Sequence, residues 1–354
     1  MCRHTHHRNA LFCIIPPYML DQIVSKGSPE QRTKALHTLA MDNTFRALRL
    51  AAPPLAQAEV PQPLVSPHKR RTVFTADGSQ ELPGSIVRVE GQGPTGDPAI
   101  DEAYDGLGAT YDFFWEVLER NSIDGAGMPL DATVHFGHGY NNAFWNSMQM
   151  VFGDGDGEIF NRFTIALDII GHELAHGVTE DEAQLQYFNQ SGALNESMSD
   201  VFGTLIKQFA LRQNVEQADW LIGEGLLMPG INGRALRSMS DPGSAFDDDL
   251  LGKDPQPKHM RDFVVTYEDN GGVHINSSIP NHAFFHTANQ LGGFAWEKAG
   301  RIWYEALRDS RLKPNSGFRR FAGLTEDIAQ RLFGHNSAER KAVTAGWSAV
   351  GIKI

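Results

Sequence analysis

The stretch DIIGHELAHGVTE, residues 168–180, holds two histidines four positions apart, with a glutamate directly after the first. On a helix, positions i and i+4 share one face, so His172 and His176 can present two imidazoles to one metal ion. Glu173 projects beside them, where a base acting on metal-bound water has to stand. A helix that merely contains polar residues would explain the same letters. The pattern therefore needs support from elsewhere in the chain.

A tetrahedral catalytic metal needs a third protein ligand and one open position. Twenty residues after His176 stands Glu196, in SGALNESMSD. If residues 193–212 form a second helix antiparallel to the first, Glu196 lies in its first turn and faces the histidines. The intervening DEAQLQYFNQSG has the length of a helix-to-helix return. Asp200, one turn further, can hold a histidine ring through its second nitrogen, as metal-bound imidazole usually requires. Alone, Glu196 and Asp200 would read as carboxylates favoured by a helix N-terminus. With the histidines at this spacing, the ligand reading is the better one.

The rest of the chain fits a globular protein of 354 residues, 41% hydrophobic and 21% charged. A net charge of −12 without a basic stripe argues against a nucleic-acid partner, and no apolar run reaches the roughly 18–20 residues of a membrane span. The charge is uneven: residues 1–75 carry ten Lys/Arg against four Asp/Glu, leaving −18 on the remainder. That imbalance suggests a basic leading segment docked on an acidic body, although a solvated tail would also account for it. The two cysteines, Cys2 and Cys13, both lie in the leading segment, so no disulfide framework holds the main body. LFCIIPPYML (11–20) is short and broken by two prolines, which makes it a poor signal peptide.

Composition divides the chain into residues 1–50, a Pro-rich and cleavable linker at 51–71, and two lobes at 72–183 and 184–354. Ser28 and Pro29 open a helix with apolar positions at Leu36, Leu39, Ala40, Phe45 and Leu48. Strands are expected in RTVFTA (71–76), SIVRV (85–89) and ATVHFG (132–137), around a helix at 99–120. From residue 160 helices take over, the first running from Phe160 through the histidines. The order gives an α+β chain, a β-rich lobe followed by an α-helical one, joined at the histidine helix.

Six blocks carry a resemblance: YNNAFWNSMQMVFGDGDG (140–157), GHELAHGVTE (171–180), NQSGALNESMSDVFG (189–203), RSMSDP (237–242), DNGGVHINSSIPNHAF (269–284) and VGI (350–352). In this order they resemble the thermolysin-like neutral zinc metalloproteases over residues 72–354. The resemblance implies a two-lobe fold, zinc held by His172, His176 and Glu196, and Glu173 as the base. It implies that Tyr187 and His274 stabilise the oxyanion, that Asp269 orients His274, and that Asn142 and Arg237 hold the substrate backbone. Isolated, Tyr187 would read as a packing aromatic, His274 as a satisfied core histidine and Asp269-Asn270-Gly271 as a plain turn. The family's primed-side pocket falls on Phe160, Phe163, Ile169, Ile222, Leu226 and Leu236. All six are apolar, so broad cleavage of proteins and peptides before a bulky hydrophobic residue is expected.

The family's calcium positions are only partly kept. Asp168, Asp219 and Glu224 match, but Lys207 and Leu221 stand where acidic residues are expected. A lysine ammonium can neutralise the remaining carboxylates, so the two-calcium site is expected to be lost, with one Ca2+ left open. GDGDGEIF (153–160) lacks downstream ligands and reads as a Gly-rich turn.

The leading segment resembles the short propeptide of the protealysin-like branch, with PPYML (16–20) as its mark. The implication is a monomeric, autoprocessed zymogen whose own propeptide obstructs the cleft. Either a Cys13 thiolate ligates zinc, or Ile14 or Ile15 plugs the apolar pocket. Secretion without a classical signal peptide is expected, with a cytoplasmic location as the alternative. Two other functions compete. A catalytically silent peptide binder would be expected to lose Glu173 or His274, and both are present. An aminopeptidase would need an extra acidic group for the substrate's amine, and no motif supplies one.

Overall fold

The computed structural model describes residues 12–51 and 69–354. The leading segment forms a two-residue strand, β1 (Phe12–Cys13), and two helices, α1 (Pro17–Lys26) and α2 (Pro29–Ala51). Both helices open on a proline, whose fixed φ suits the first turn. Ser28 and Gln31 start α2 reciprocally: Gln31 N donates to Ser28 Oγ at 3.2 Å, and Ser28 N donates to Gln31 Oε1 at 3.0 Å.

The buried face of α2 is not the apolar stripe expected. Leu36 is 50% exposed, whereas Ala35, Thr38, Met41 and Asp42 are buried. The reason is that this face meets polar groups: Asn141 N donates to Thr38 Oγ1 at 3.1 Å, and Asp42 accepts from Tyr140 and Asn142. The side chains of Phe45 and Leu48 lie outside the described residues, as do Cys2 and most of the linker.

Strands β2 (Arg71–Thr75), β3 (Ser85–Val89), β4 (Leu130–Val134), β5 (Ala143–Trp145) and β6 (Met150–Phe152) form one sheet with β1, in the order β1-β5-β6-β4-β2-β3. The leading segment thus supplies an edge strand, pairing antiparallel with β5 at Phe12–Trp145 and Cys13–Phe144. Helix α3 (Pro98–Leu118) packs on this sheet, capped by Asp97, which accepts from Ala99 N and Ile100 N.

Beyond the sheet, α4 (Leu167–Glu182) and α5 (Asn189–Leu211) lie side by side. Two expectations need correction. Residues 160–166 are not helical, because Phe163 N bonds Gly153 O at 3.1 Å and Phe160 bridges to Leu227, which spends their backbone groups outside the helix. Helix α5 begins four residues earlier than expected, so Glu196 lies two turns in rather than in the first turn. Gly171 and Gly203 let the two helices touch. A Cβ on Gly203 would meet Asp168 O at 2.4 Å, and one on Gly171 would meet Gly203 Cα at 3.2 Å.

A short strand pair, β7 (Leu221–Ile222) and β8 (Arg237–Ser238), follows, then helices α6 (Asp269–Asn276), α7 (Ser278–Leu291), α8 (Arg301–Leu307), α9 (Phe318–Phe333) and α10 (Ala338–Ala349). Their core centres on Trp303 and Trp347, stacked with ring centroids 6.0 Å apart. The Trp347 indole donates to Thr325 Oγ1 at 2.9 Å, so its one polar atom is satisfied.

Candidate metal centre and substrate cleft

The close α4–α5 approach brings His172, His176 and Glu196 together, all buried, with one potential ligand atom from each within 4.8 Å of the others. Among the described residues this is the one group of three or more His, Cys, Asp or Glu side chains that converges so closely.

The rings are held from behind. His172 Nδ1 lies 2.8 Å from Asp200 Oδ1, and His176 Nδ1 lies 2.8 Å from Asn195 Oδ1 and 3.0 Å from Ser199 Oγ. With Nδ1 donating to these acceptors, each neutral ring turns its Nε2 lone pair inward. The two Nε2 atoms are then 3.1 Å apart and each 3.5 Å from a Glu196 oxygen. Burial and the neighbouring His172 hold His176 well below the ordinary histidine pKa, so it stays an uncharged ligand. Glu196 Oε2 is buried without a hydrogen-bond partner. Inward lone pairs and a carboxylate with an unused oxygen leave a buried cluster of acceptors that a cation would satisfy. The donor set therefore fits a divalent metal of the zinc type.

Asp200 anchors a second layer. It accepts from Arg237 Nε at 2.9 Å, Arg237 Nη2 at 2.8 Å and Asn281 Nδ2 at 2.8 Å. Burial opposes its charge, but Arg237 and His172 outweigh that and keep the carboxyl far below the usual carboxylate range. Glu173 is fully buried, with Oε2 bonded to Trp145 N at 3.1 Å and Oε1 unpartnered. Burial and the nearby Glu196 push its pKa well above an ordinary glutamate. A carboxylate poised to take up a proton is what a general base requires.

Tyr187 and His274 close the other side. The Tyr187 hydroxyl bonds Glu196 Oε1 and lies 3.2 Å from His274 Nε2. Asp269 reaches His274 through a left-handed turn, φ being positive from Asp269 to Gly272. Its carboxylate accepts His274 N at 2.9 Å and lies 2.5 Å from Nδ1. Burial works against the His274 charge, but Asp269 and Glu196 prevail and raise its pKa.

The six apolar pocket positions are all buried. Leu236 N bonds Ile222 O at 3.0 Å, Asn161 N bonds Leu226 O at 2.8 Å, and Gly223 sits against both Leu236 and Ile169. Phe160 and Phe163 stand with ring centroids 6.0 Å apart.

The leading segment runs through this cleft. Ile15 N donates to Asn142 Oδ1 at 3.0 Å, Arg237 Nη1 donates to Ile14 O at 3.3 Å, and the Cys13 carbonyl lies 3.2 Å from His274 Nε2. Cys13 thus turns its carbonyl toward His274, while the residue packs in an apolar cluster with Tyr140 and Phe144, apart from the converging ligand group. That arrangement does not support the thiolate-on-metal alternative. Burial of Ile14, Ile15, Met19, Leu20 and Ile23 stabilises the docked segment by about 1.5–3 kcal/mol each.

Asp168 and Asp219 both accept from Lys207 Nζ, at 3.1 and 2.6 Å, and Glu224 lies 3.9 Å from it. In the Gly-rich turn, Asp156 Oδ1 accepts from the amides of Glu158, Ile159 and Phe160, so that carboxylate shapes the backbone. Sequence reasoning passed over Asn195 and Ser199. Ser199 lies three residues after Glu196, so same-face spacing on α5 points to it, and Asn195 lies four before Ser199 on the face they share.

Comparison with known proteins agrees with this geometry. Residues 76–180 match the thermolysin metallopeptidase catalytic domain, 183–352 its alpha-helical domain, and 13–40 the protealysin propeptide. An extracellular metalloprotease of Pectobacterium carotovorum is 54% identical over 96% of both chains. Protease PrtS of a Photorhabdus strain is 48% identical, over 96% of this chain and 92% of its own. The solved precursor of protealysin from Serratia proteamaculans superposes with a TM-score of 0.88 at 54% identity, covering 96% of this chain and 99% of that one.

Proposed function

Since the chain belongs to the thermolysin family of zinc metalloendopeptidases and carries a protealysin-type propeptide, we propose the following division of labour among its residues. His172, His176 and Glu196 would hold the zinc, and Asp200, Asn195 and Ser199 fix the two imidazoles. When bound, zinc lowers the pKa of a coordinated water to about 7 and polarises the substrate carbonyl. Glu173 takes the proton from the attacking water and delivers it to the leaving nitrogen. Tyr187 and His274 donate to the carbonyl oxygen as it gains negative charge, and Asp269 keeps His274 oriented and charged. Asn142 and Arg237 clamp the substrate backbone. The apolar pocket from Phe160 to Leu236 favours a bulky hydrophobic residue after the scissile bond.

The observation that carries this reading is the inward turn of two buried imidazoles toward a carboxylate oxygen with no partner of its own. We further propose that the propeptide spans about residues 1–50, that the chain is a monomer, and that the acidic cluster around Lys207 needs no calcium. Relatives named as extracellular support action outside the cell rather than in the cytoplasm. No helix among the described residues is long and apolar enough to cross a membrane. The decisive experiment is casein hydrolysis by the wild type, a Glu173→Ala variant and a chelator-treated sample. Activity that survives both treatments would sink the zinc mechanism.

A further inference from the structure

We propose that the Cys13–Ile14 peptide bond is a substrate of this chain's own active site, cut within the molecule while the rest of the propeptide stays docked. The inference rests on the site reading above and adds the identity of one bond.

Five contacts set the register, and they agree. Cys13 pairs with Phe144 on the edge strand, in antiparallel sense. Its carbonyl oxygen lies 3.2 Å from His274 Nε2, on the side where Tyr187 and Glu196 meet. One residue on, Ile14 N donates to Ala143 O at 3.2 Å, and Ile14 O accepts from Arg237 at 3.3 Å. Next, Ile15 N donates to Asn142 Oδ1 at 3.0 Å. The groups proposed to clamp a substrate backbone therefore hold Ile14 and Ile15, and a proposed oxyanion donor holds the carbonyl just before them. That makes Cys13 C=O the carbonyl presented for attack.

Side chains and base agree with that register. Ile14 is a bulky apolar residue, fully buried, directly after the presented carbonyl. Glu173 Oε2 is held by the amide of Trp145, the residue that pairs with Phe12. The base is therefore fixed to the strand on which the propeptide lies. Holding a reactant in register in this way is the condition for an effectively unimolecular reaction.

The step is a hydrolysis that consumes one water. The water oxygen bonds to the Cys13 carbonyl carbon and the Cys13 C–Ile14 N bond breaks. Glu173 carries one proton from the water to the Ile14 nitrogen, and the second proton passes from the new Cys13 carboxyl group to the same nitrogen, leaving a carboxylate at Cys13 and an ammonium at Ile14. The cut does not free the cleft, because Ile15, Met19, Leu20 and Ile23 remain buried and Asp42 remains bonded to Asn142. Residues 14–51 persist as a bound product, and activation needs a second cut elsewhere.

Full-length chain purified in chelator and then given zinc tests this by intact mass and N-terminal sequencing over time. The expected result is a new N-terminus at Ile14, on the whole chain or on a released segment. Its rate should not change over a tenfold range of protein concentration, and it should be absent in Glu173→Gln. Ile14→Pro, which lacks the amide that bonds Ala143, should keep residues 1–13 attached. In the Glu173→Gln chain the Ile14 and Ile15 amides should exchange slowly with solvent, and fast exchange there would overturn the register. Wild type that hydrolyses casein yet never yields a chain starting at Ile14 overturns the proposal and leaves the enzyme reading intact. Wild type that does neither overturns both.

Discussion

The Lys207 ammonium donates to the buried Asp168 carboxylate at 3.1 Å while also donating to Asp219 at 2.6 Å. A fixed organic cation thus stands among three carboxylates that would otherwise call for a hard metal ion. Lys207→Met should leave Asp168 buried and unpaired, and cost about 3 kcal/mol in a denaturant titration. Wild-type thermal stability should respond neither to added calcium nor to a calcium-selective chelator. A midpoint that climbs with calcium would mean that a metal displaces the ammonium.

The same cluster sets a pH dependence. Burial works against the Lys207 charge, but Asp168 and Asp219 outweigh it and raise its pKa. A raised lysine contributes fully below its ordinary value of about 10.4, and the contribution disappears as pH rises through the folded value. Asp219 is lowered by Lys207 despite burial, so its share is present above its ordinary value and fades in acid. Asp168 subtracts from the total, because burial raises its pKa in spite of Lys207. The stability gap between wild type and Lys207→Met should therefore be flat from about pH 6 to 9 and shrink beyond that at either end. A gap that changes steadily across neutrality would assign the effect to another group.

How much of this was open to sequence reasoning depended on range. His172 and His176 are fixed by helical spacing alone, and Glu196 needed only one helix packed on another. The start of α4 is not legible in the sequence, because the apolar run from Phe160 to Ala166 fits a helix as well as a buried loop. Only the bridge from Phe160 to Leu227, some 67 residues away, decides between them. For Cys13 the chemistry is legible in a sequence and the orientation is not. Strand pairing with Phe144 turns its carbonyl toward the site, a long-range register that composition cannot supply. Lys207 was the opposite case: one basic letter among acidic positions was enough to foresee the ion pairs.

Removing either proposed oxyanion donor should slow the chemistry without unloading the metal. Tyr187→Phe and His274→Ala should each lower kcat by about 100- to 1000-fold. Zinc content should stay near one per chain by elemental analysis, since neither residue belongs to the His172, His176 and Glu196 group. In the Tyr187→Phe chain, Glu196 loses one hydrogen bond and keeps its place beside both imidazoles. If either variant lost its zinc together with its activity, the residue would be holding the site together rather than serving the reaction.

Asp42 offers a test of inhibition that leaves catalysis alone. It is 2% exposed, accepts the Tyr140 hydroxyl at 2.5 Å and the Asn142 amide at 2.9 Å, and so turns Asn142 Oδ1 toward Ile15 N. Asp42→Ala strands a buried hydroxyl and a buried amide, each of which loses a bond to a charged group, together roughly 3 kcal/mol of docking. Full-length Asp42→Ala chain should therefore turn over a small fluorogenic peptide well before its linker is cut, at a rate wild-type zymogen does not reach. After processing, the two enzymes should have the same kcat/KM, because Asp42 leaves with the propeptide. An unchanged lag in the variant zymogen would shift the inhibition to Ile14, Ile15 and the apolar face of α1. A difference that persisted after processing would mean that Asp42 had helped the catalytic domain to fold.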